Sequence, residues 1–229
     1  MSLIAHYPLI ANWNDTEGNY NLTNSNVVPF TQVQWVTCAK FSGIDYQYLH
    51  VSQFPFSGDI ELYVNFWMCS TTNNYSNYPS VIWLGTTQQW NENFCVRISP
   101  DYGSILCTWW WDCDAHSNYV VPTNKWINVA VAYKDWAIKM YVNGENKIDA
   151  TIPSYNITWW EFSVWSQPTW GSVFTWWVSD LYVYDAIPAN LETEIVDHYN
   201  ATKWTYIKPK FNLHSTFGTF HKKLPTPQN

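Results

Sequence analysis

The sequence has little charge, little glycine and no paired cysteine motif. Only 13% of its 229 residues are charged, and eight are glycine. Its five cysteines are scattered, odd in number and without a CxxC pair, which argues against a zinc site or a disulfide framework and predicts buried free thiols. With so few charges, the polar surface must consist mainly of Asn, Ser, Thr, Gln and Tyr.

Long apolar segments are absent as well. No run approaches the ~18 apolar residues that a membrane span needs. The first ten residues, MSLIAHYPLI, have neither the basic start nor the unbroken apolar core of a secretory signal peptide. We therefore expect neither membrane insertion nor a classical signal peptide.

Acidic residues are missing from one end of the chain. All 18 acidic residues precede position 203, whereas residues 203–229 hold five of the 11 basic ones. Residues 1–202 are therefore strongly acidic. This charge argues against nucleic-acid binding, which needs a basic face to displace counterions.

Aromatic residues, in contrast, are abundant. The chain has 17 Trp, 16 Tyr and 11 Phe, and 47% of its residues are hydrophobic. Such a bias favours β-strands, protein interfaces and sugar-binding platforms over helical bundles. We therefore expect an all-β protein with a large core.

The clearest local signal is KWINVAVAYKDWAIKMYVNGE, residues 125–145. Apolar residues alternate on both sides of a short Lys-Asp-Trp turn, which predicts an antiparallel hairpin with one face toward a core. Further predicted strands are 4–10, 34–41, 59–68, 80–85, 93–99, 104–111, 161–166 and 173–184. Their number and spacing predict a two-sheet antiparallel sandwich.

A single helix follows the last predicted strand. In ANLETEIVDHYN, Asn190 is suited to cap a helix whose residues Leu191, Ile195 and Tyr199 share one face. Residues 203–229 read as an extended arm without a core of its own. The predicted organisation is a sandwich over 1–202 and a basic, aromatic C-terminal arm over 203–229.

Five stretches carry a family resemblance in sequence order: HYPLIANWNDTEGN, AKFSGIDYQYLHV, IELYVNFWM, the hairpin over 125–145, and VSDLYVYDAIPANLETEIVDHYN. Over roughly residues 1–200 they resemble the laminin-G-like branch of the concanavalin A-like jelly-roll superfamily. The resemblance implies a two-sheet jelly roll whose first strand lies near its last. It also implies that a structural calcium could be held by Asp15, after the first strand, and Asp180, in the last. The alternative is that Asp15 belongs to a turn and Asp180 to a strand end.

Hydrolases belong to the same superfamily, but their chemical signature is missing. Glycoside hydrolysis needs two carboxylates facing each other across the bond, and the glucanase branch carries Glu-x-Asp-x-x-Glu on one strand. The nearest acids, Glu192, Glu194 and Asp197, lie on the predicted helix with the spacing of solvated charges. Nucleophile-elbow, phosphate-loop and HExxH motifs are also absent from the sequence. We therefore predict a non-enzymatic protein.

The stretch CTWWWDCDAH, residues 107–116, is the candidate ligand site. If a strand continued through it, Trp110, Asp112, Asp114 and His116 would share one face, as a stacking ring beside carboxylates and an imidazole. That arrangement would suit a sugar or a calcium ion. The alternative is an ordinary polar turn beside packed tryptophans.

Two functional classes remain, and they are not exclusive. One is a glycan-binding, lectin-like module that leaves the cell by a non-classical route. The favoured one is a virion surface, decoration or fibre-type structural protein, assembled in the host cytoplasm, homo-oligomeric and anchored to other virion proteins through its arm. The predicted docking residues of the arm are Trp204, Tyr206, Lys208, Lys210, Phe211, Phe217 and Phe220.

Overall fold

The computed structural model describes residues 1–42, 47–56, 58–71, 79–85, 93–99, 105–108, 115–152, 156–157, 161–164 and 175–208. The strands among these residues are β1 Leu3–Tyr7, β2 Thr23–Ser25, β3 Phe30–Val33, β4 Val36–Ser42, β5 Tyr48–Val51, β6 Gly58–Asp59, β7 Leu62–Ser70, β8 Ser80–Gly85, β9 Asn93–Ser99, β10 Ile105–Thr108, β11 Ala115–Val120, β12 Trp126–Lys134, β13 Ala137–Val142, β14 Glu145–Thr151, β15 Asn156–Ile157, β16 Phe162–Val164 and β17 Thr175–Tyr184. One helix, α1, covers Leu191–Tyr206. In the ranges given above, no helix combines the length and the apolar character needed to cross a membrane.

Two antiparallel sheets form the protein, which confirms the predicted all-β sandwich. The first sheet has the order β14-β13-β12-β7-β17-β4-β3, with β1 also paired to β17. The second has the order β11-β10-β9-β8-β16-β5-β2, and β6 pairs with β15 in a short separate ribbon. The first strand therefore lies beside the last described strand, as the resemblance implied.

The main core lies between the two sheets, where alternate residues of facing strands meet. Phe94, Val96 and Ile98 of β9 belong to this core, as do Phe66 and Met68 of β7, and all five are fully buried. Burial of each such side chain stabilises the fold by roughly 1.5–3 kcal/mol relative to exposure. Three cysteines, Cys38, Cys69 and Cys95, are buried thiols, which confirms the thiol prediction for these positions.

The outer face of the first sheet is covered by α1, so β7 and the first eight residues of β12 are buried on both faces. Near the start of the helix, Ile195 packs in a cluster with Tyr63 and Ala130. Coverage on both faces explains why these strands read as nearly continuous apolar runs. Asn65 and Asn128 lie buried in the same layer, where Asn128 Nδ2 donates to Asn65 Oδ1 at 2.7 Å.

The long strand β17 changes its partner at Asp180. Residues before Asp180 pair with β4, and residues after it pair with β1. The register against β7 shifts between Ser179 and Tyr182, and Asp180 has a positive φ of 54°. Its backbone N–H donates to the Pro8 carbonyl at 3.1 Å, so this donor is satisfied where the register shifts. Aspartate tolerates this left-handed conformation better than most residues.

The predicted hairpin is confirmed as β12 and β13, joined through Asp135 and Trp136 with φ of 47° and 71°. Two consecutive positive φ angles match a type I′ hairpin turn, although Trp is an unusual residue there. The strands β2, β3, β5, β11, β14 and β15 were not predicted from the sequence. At the helix start, Asn190 occupies the N-cap position but its side chain makes no capping hydrogen bond.

The predicted boundary after residue 202 falls inside α1, which continues to Tyr206. Tyr206 is buried, stacks on Trp67 with ring centroids 4.3 Å apart, and donates through its hydroxyl to Ser179 Oγ at 3.0 Å. Since its ring already packs inside its own sandwich, Tyr206 does not have the free side chain that a docking residue needs. Residues 209–229, the rest of the predicted arm, lie outside the described residues.

Candidate functional site

A groove of about 340 Å³ opens beside the C-terminal end of α1, and we call it the helix-end groove. It lies where the end of the helix approaches the turn between β3 and β4 and the start of β12. The described residues that line it are Gln34, Trp35, Tyr119, Pro122, Asn124, Lys125, Trp126, Ile127, Asn143, Tyr206, Ile207 and Lys208.

The β3–β4 turn places Trp35 at this groove. Gln34 has φ of 59°, so the chain reverses there within two residues. The Gln34 side chain donates through Nε2 to the Asn124 carbonyl at 3.1 Å, which ties the turn to the segment before β12. Trp35 in turn donates through Nε1 to the Thr205 carbonyl at 2.6 Å. Three distant segments of the chain are thereby joined around one groove.

Aromatic rings form the wall of the helix-end groove. Trp126 is 3% exposed and Tyr206 5% exposed, and their rings meet edge to face with centroids 5.2 Å apart. Trp35 is half-buried beside the same cluster. Rings held in this way are rigid, so a ligand that contacts them does not have to order them first.

The Trp126 indole N–H is buried and has no hydrogen-bond partner among the described residues. Buried polar groups are hydrogen-bonded in the large majority of cases, and leaving one unsatisfied costs about 1–3 kcal/mol. The Trp126 N–H is one of several such atoms among the described residues, and it belongs to a wall residue of the groove.

The groove has a positive local charge. Lys125 and Lys208 are both exposed, and the Lys208 ammonium lies 4.4 Å from the centroid of the Trp35 ring, within the range of a cation–π contact. None of the described lining residues is acidic. Burial raises the pKa of both tyrosines of the groove, Tyr119 and Tyr206, so both hydroxyls stay protonated at neutral pH.

The predicted site over 107–116 is only partly described, since Trp110, Asp112 and Asp114 lie outside the described residues. His116 is exposed on β11, and burial together with the Arg97 charge lowers its pKa. Thr108 at the end of β10 pairs with Ala115 at the start of the antiparallel β11. β10 and β11 are therefore two antiparallel strands rather than one strand that continues through His116. The shared site of Trp110, Asp112, Asp114 and His116 stays a prediction.

Asp15 and Asp180 both contact His6, which places the two predicted calcium ligands around one residue. The Asp15 carboxylate accepts backbone N–H groups from His6, Glu17, Asn19 and Tyr20 at 2.9–3.1 Å. Asp180 Oδ1 lies 2.9 Å from His6 Nε2. The part of the chain that the structure describes holds no group of three or more His, Cys, Asp or Glu side chains suited to a metal. Both carboxylates are engaged by N–H groups, and the calcium site stays a prediction.

A hydroxyl, an imidazole and a carboxylate lie in line at the same place, but the surroundings do not suit catalysis. Thr16 Oγ1 is 3.1 Å from His6 Nδ1, and His6 Nε2 contacts Asp180. Acyl transfer also needs free N–H donors for the oxyanion. The backbone N–H groups of residues 16–20 all donate hydrogen bonds already. That of Thr16 donates to the His6 carbonyl, and those of residues 17–20 donate to the carbonyl or the carboxylate of Asp15. We interpret these contacts as structural interactions that hold β1 and β17 together.

The predicted docking residues fall into three groups. Trp204 is 59% exposed on α1, beside the Lys203 ammonium. Tyr206 and Lys208 line the helix-end groove. Lys210, Phe211, Phe217 and Phe220 lie outside the described residues. Trp35 and Trp126 were not predicted as site residues. In the sequence, Trp35 is only a tryptophan at the start of a predicted strand, and Trp126 one at the start of the predicted hairpin.

Solved structures share this fold, although no protein-family model and no curated protein matches the chain. Domain 4 of AbnA, a GH43 extracellular arabinanase from Geobacillus stearothermophilus solved in complex with arabinotriose, is 16% identical with a TM-score of 0.66, covering 86% of this chain and 97% of that domain. The binding domain of botulinum neurotoxin serotype G is 15% identical with a TM-score of 0.62, covering 89% and 52%. The binding domain of Paraclostridial Mosquitocidal Protein 1 is 12% identical with a TM-score of 0.69, covering 87% and 52%.

These similarities establish the architecture and no more. The neighbours are β-sandwich domains, which agrees with a jelly-roll sandwich. The chain spans about half the length of the two toxin binding domains. At such identities, function has to be argued from the groove and its residues.

Proposed function

We propose that this protein is a non-enzymatic, lectin-like module that binds a saccharide in the helix-end groove. The observation that carries the proposal is the half-buried ring of Trp35, supported from behind by the buried rings of Trp126 and Tyr206 and lying beside polar side chains. Sugar rings present C–H groups on their faces and hydroxyls around their edges. Aromatic rings contact such faces, while a few placed polar groups fix the orientation of the ligand.

The polar part of the groove suits hydroxyl groups. Gln34, Asn124 and Asn143 carry amides, each of which has both donor and acceptor atoms, and Tyr119 adds a protonated hydroxyl. Sugar hydroxyls also donate and accept, so mixed amide contacts match them better than a purely apolar wall would.

The structural neighbours support the same class of function without specifying a ligand. One of them was solved with arabinotriose, and the two toxin domains are described as binding domains. The sandwich is therefore a fold on which binding surfaces are built. The sequence-based prediction of a glycan partner agrees with this support.

A glycan array with matched tryptophan variants tests the proposal. Trp35→Ala removes an aromatic wall of the groove, and we expect an affinity loss of roughly fivefold or more, since an aromatic contact contributes about 1 kcal/mol. Trp136→Ala is the control, because Trp136 is 56% exposed at the β12–β13 turn and does not line the groove. Gln34→Ala tests the same groove at an exposed position, in case Trp35→Ala lowers the melting temperature.

Two results would contradict the proposal. One is an array on which the wild-type protein retains no glycan. The other is glycan binding that survives Trp35→Ala and Gln34→Ala but is lost in Trp136→Ala.

A second function, as a component of a virion or other assembly, stays a proposal from the sequence. The observation that favours it is the exposure of Val196, at 40%, and Trp204, at 59%, on α1. Exposed apolar side chains of this size are typical of interfaces when they cluster. Light scattering across a concentration series tests it: self-association that Trp204→Ala abolishes supports the role, and a monomer at every concentration contradicts the predicted homo-oligomer.

A further inference from the structure

We infer that the saccharide bound in the helix-end groove carries carboxylate groups, as a uronic-acid oligosaccharide does. This inference rests on the proposed function and specifies the substrate class of the same groove. Its basis is the charge of the groove, which is opposite in sign to the charge of the whole protein. The chain has 18 acidic and 11 basic residues, whereas the described lining residues include two lysines and no acid.

One acid that acts on the groove wall, Glu145, is paired with a lysine. Glu145 contributes to the raised pKa of Tyr119, so its charge is felt at the groove wall. Its carboxylate, however, forms an ion pair with Lys147, with Nζ and Oε2 2.8 Å apart. This pair reduces the influence of Glu145, which leaves Lys125 and Lys208 as the charged side chains of the described groove lining.

Lys208 is placed where a sugar acid would need a cation. Its ammonium lies over the Trp35 ring, with 4.4 Å between the nitrogen and the ring centroid. A sugar that contacts Trp35 therefore brings its substituents next to this ammonium. A carboxylate there replaces a cation–π contact by a charge-assisted hydrogen bond, which is the stronger interaction. A neutral sugar has no carboxylate and cannot form this charge-assisted hydrogen bond.

The small number of charged residues in the described groove lining also predicts that carboxylated sugars bind in preference to polyanions. Ligands such as nucleic acids and highly sulfated polysaccharides are held by many cations, and their affinity grows with the number of charges neutralised. Among the described lining residues two are lysines, on a protein whose net charge is −7. Long-range repulsion therefore opposes a polyanion, while a short ligand with two or three carboxylates meets the local positive charge.

The experiment compares three matched trisaccharides by calorimetry on the full-length protein. The probes are trigalacturonic acid, its methyl ester and neutral galactotriose, with a heparin-derived oligosaccharide as the polyanion. We expect trigalacturonic acid to bind roughly fivefold to tenfold more tightly than its ester, and the difference to shrink in high salt. Lys125→Gln combined with Lys208→Gln should abolish this preference. Lys203→Gln is the control, since it removes a charge from the same helix end without lining the groove.

Each outcome bears on one of the two proposals. Equal affinity for the acid and the ester, or tighter binding of the heparin fragment, overturns the carboxylate inference while saccharide binding stands. A preference that survives the double lysine variant overturns it as well. If none of the probes binds and the glycan array is also blank, the proposed function itself fails. A variant that binds less because it is unfolded is recognised by its lowered melting temperature.

Discussion

The two ends of α1 pack on the same sheet in different ways. Near the N-terminal end, Ile195 is fully buried against small and aromatic residues of β7 and β12, including Tyr63 and Ala130. Near the C-terminal end, Tyr206 stacks on Trp67 and meets Trp126. The first contact is a closed apolar cluster. The second leaves a groove beside its aromatic rings.

The charged residues also differ between the two ends of α1. Glu192 and Glu194 lie in the first turn of α1 and Lys203 in the last, an arrangement that complements the helix dipole. Lys208, just past the helix, extends the positive end into the groove. The comparison indicates that one end of the helix mainly holds the fold together, while the other combines packing with a surface suited to a ligand. Three experiments test this division, in order of decreasing expected effect.

Truncation gives the largest expected effect. A chain that ends after Thr202 loses Tyr206, whose ring fills the cluster around Trp67, and removal of a buried aromatic side chain costs about 3–5 kcal/mol. A chain that ends after Lys208 keeps this contact and is the matched control. Urea unfolding should show a large loss of the free energy of unfolding for the shorter chain only. Equal stability of the two would mean that the helix end is not part of the folded domain.

Ile195→Ala tests the other end of the helix. Its cavity should lower the free energy of unfolding by about 2–4 kcal/mol. Because Ile195 does not line the groove, the affinity for trigalacturonic acid should match the wild type wherever the variant is fully folded. Calorimetry at low temperature checks this. A tenfold loss of affinity in the folded variant would show that the two ends are coupled and that the proposed division is wrong.

Much of the fold could be predicted from the sequence because the patterns that specify its strands lie within short segments. The alternation around the Lys-Asp-Trp turn specified the β12–β13 hairpin, and the central strands read clearly because both of their faces are apolar. Strands such as β2, TNS, and β11, AHSNYV, are short and polar, so their hydrogen-bonded neighbours rather than their composition make them strands. Tertiary context also extended α1 to Tyr206, since the stacking on Trp67 is not visible in the local pattern.

The candidate site was much less predictable. Trp35, Trp126 and Tyr206 are separated by about 90 and 80 residues in the sequence, and only the sheet order and the helix bring them together. Two residues predicted for a docking arm, Tyr206 and Lys208, do belong to the groove, but for a reason that the sequence did not give. A turn at Asp15 was one of two alternatives from the sequence, whereas the four N–H groups that donate to its carboxylate depend on the exact path of the chain.

The smallest expected effect concerns His198, between the two ends of the helix. Its ring meets Tyr182 edge to face with centroids 5.1 Å apart, and its Nε2 is buried without a hydrogen-bond partner in the described part of the chain. Burial lowers the pKa of His198 below the ordinary value of 6.5, and the His6 charge also lowers it. The carboxylates of Asp180 and Glu194 act in the opposite direction without reversing the shift.

The sign of the pH dependence follows from this shift. Because the folded protein holds the His198 proton less tightly than the unfolded chain, the unfolded state gains protons as the pH falls below about 6.5, and the free energy of unfolding decreases. His198→Gln removes this titration, so its stability should vary less between pH 7.5 and 5.5 than that of the wild type. Urea titrations at several pH values measure both slopes. Equal slopes would mean that protonation of His198 does not affect the packing of α1 on the sheet, and a steeper slope in the variant would reverse the assigned sign.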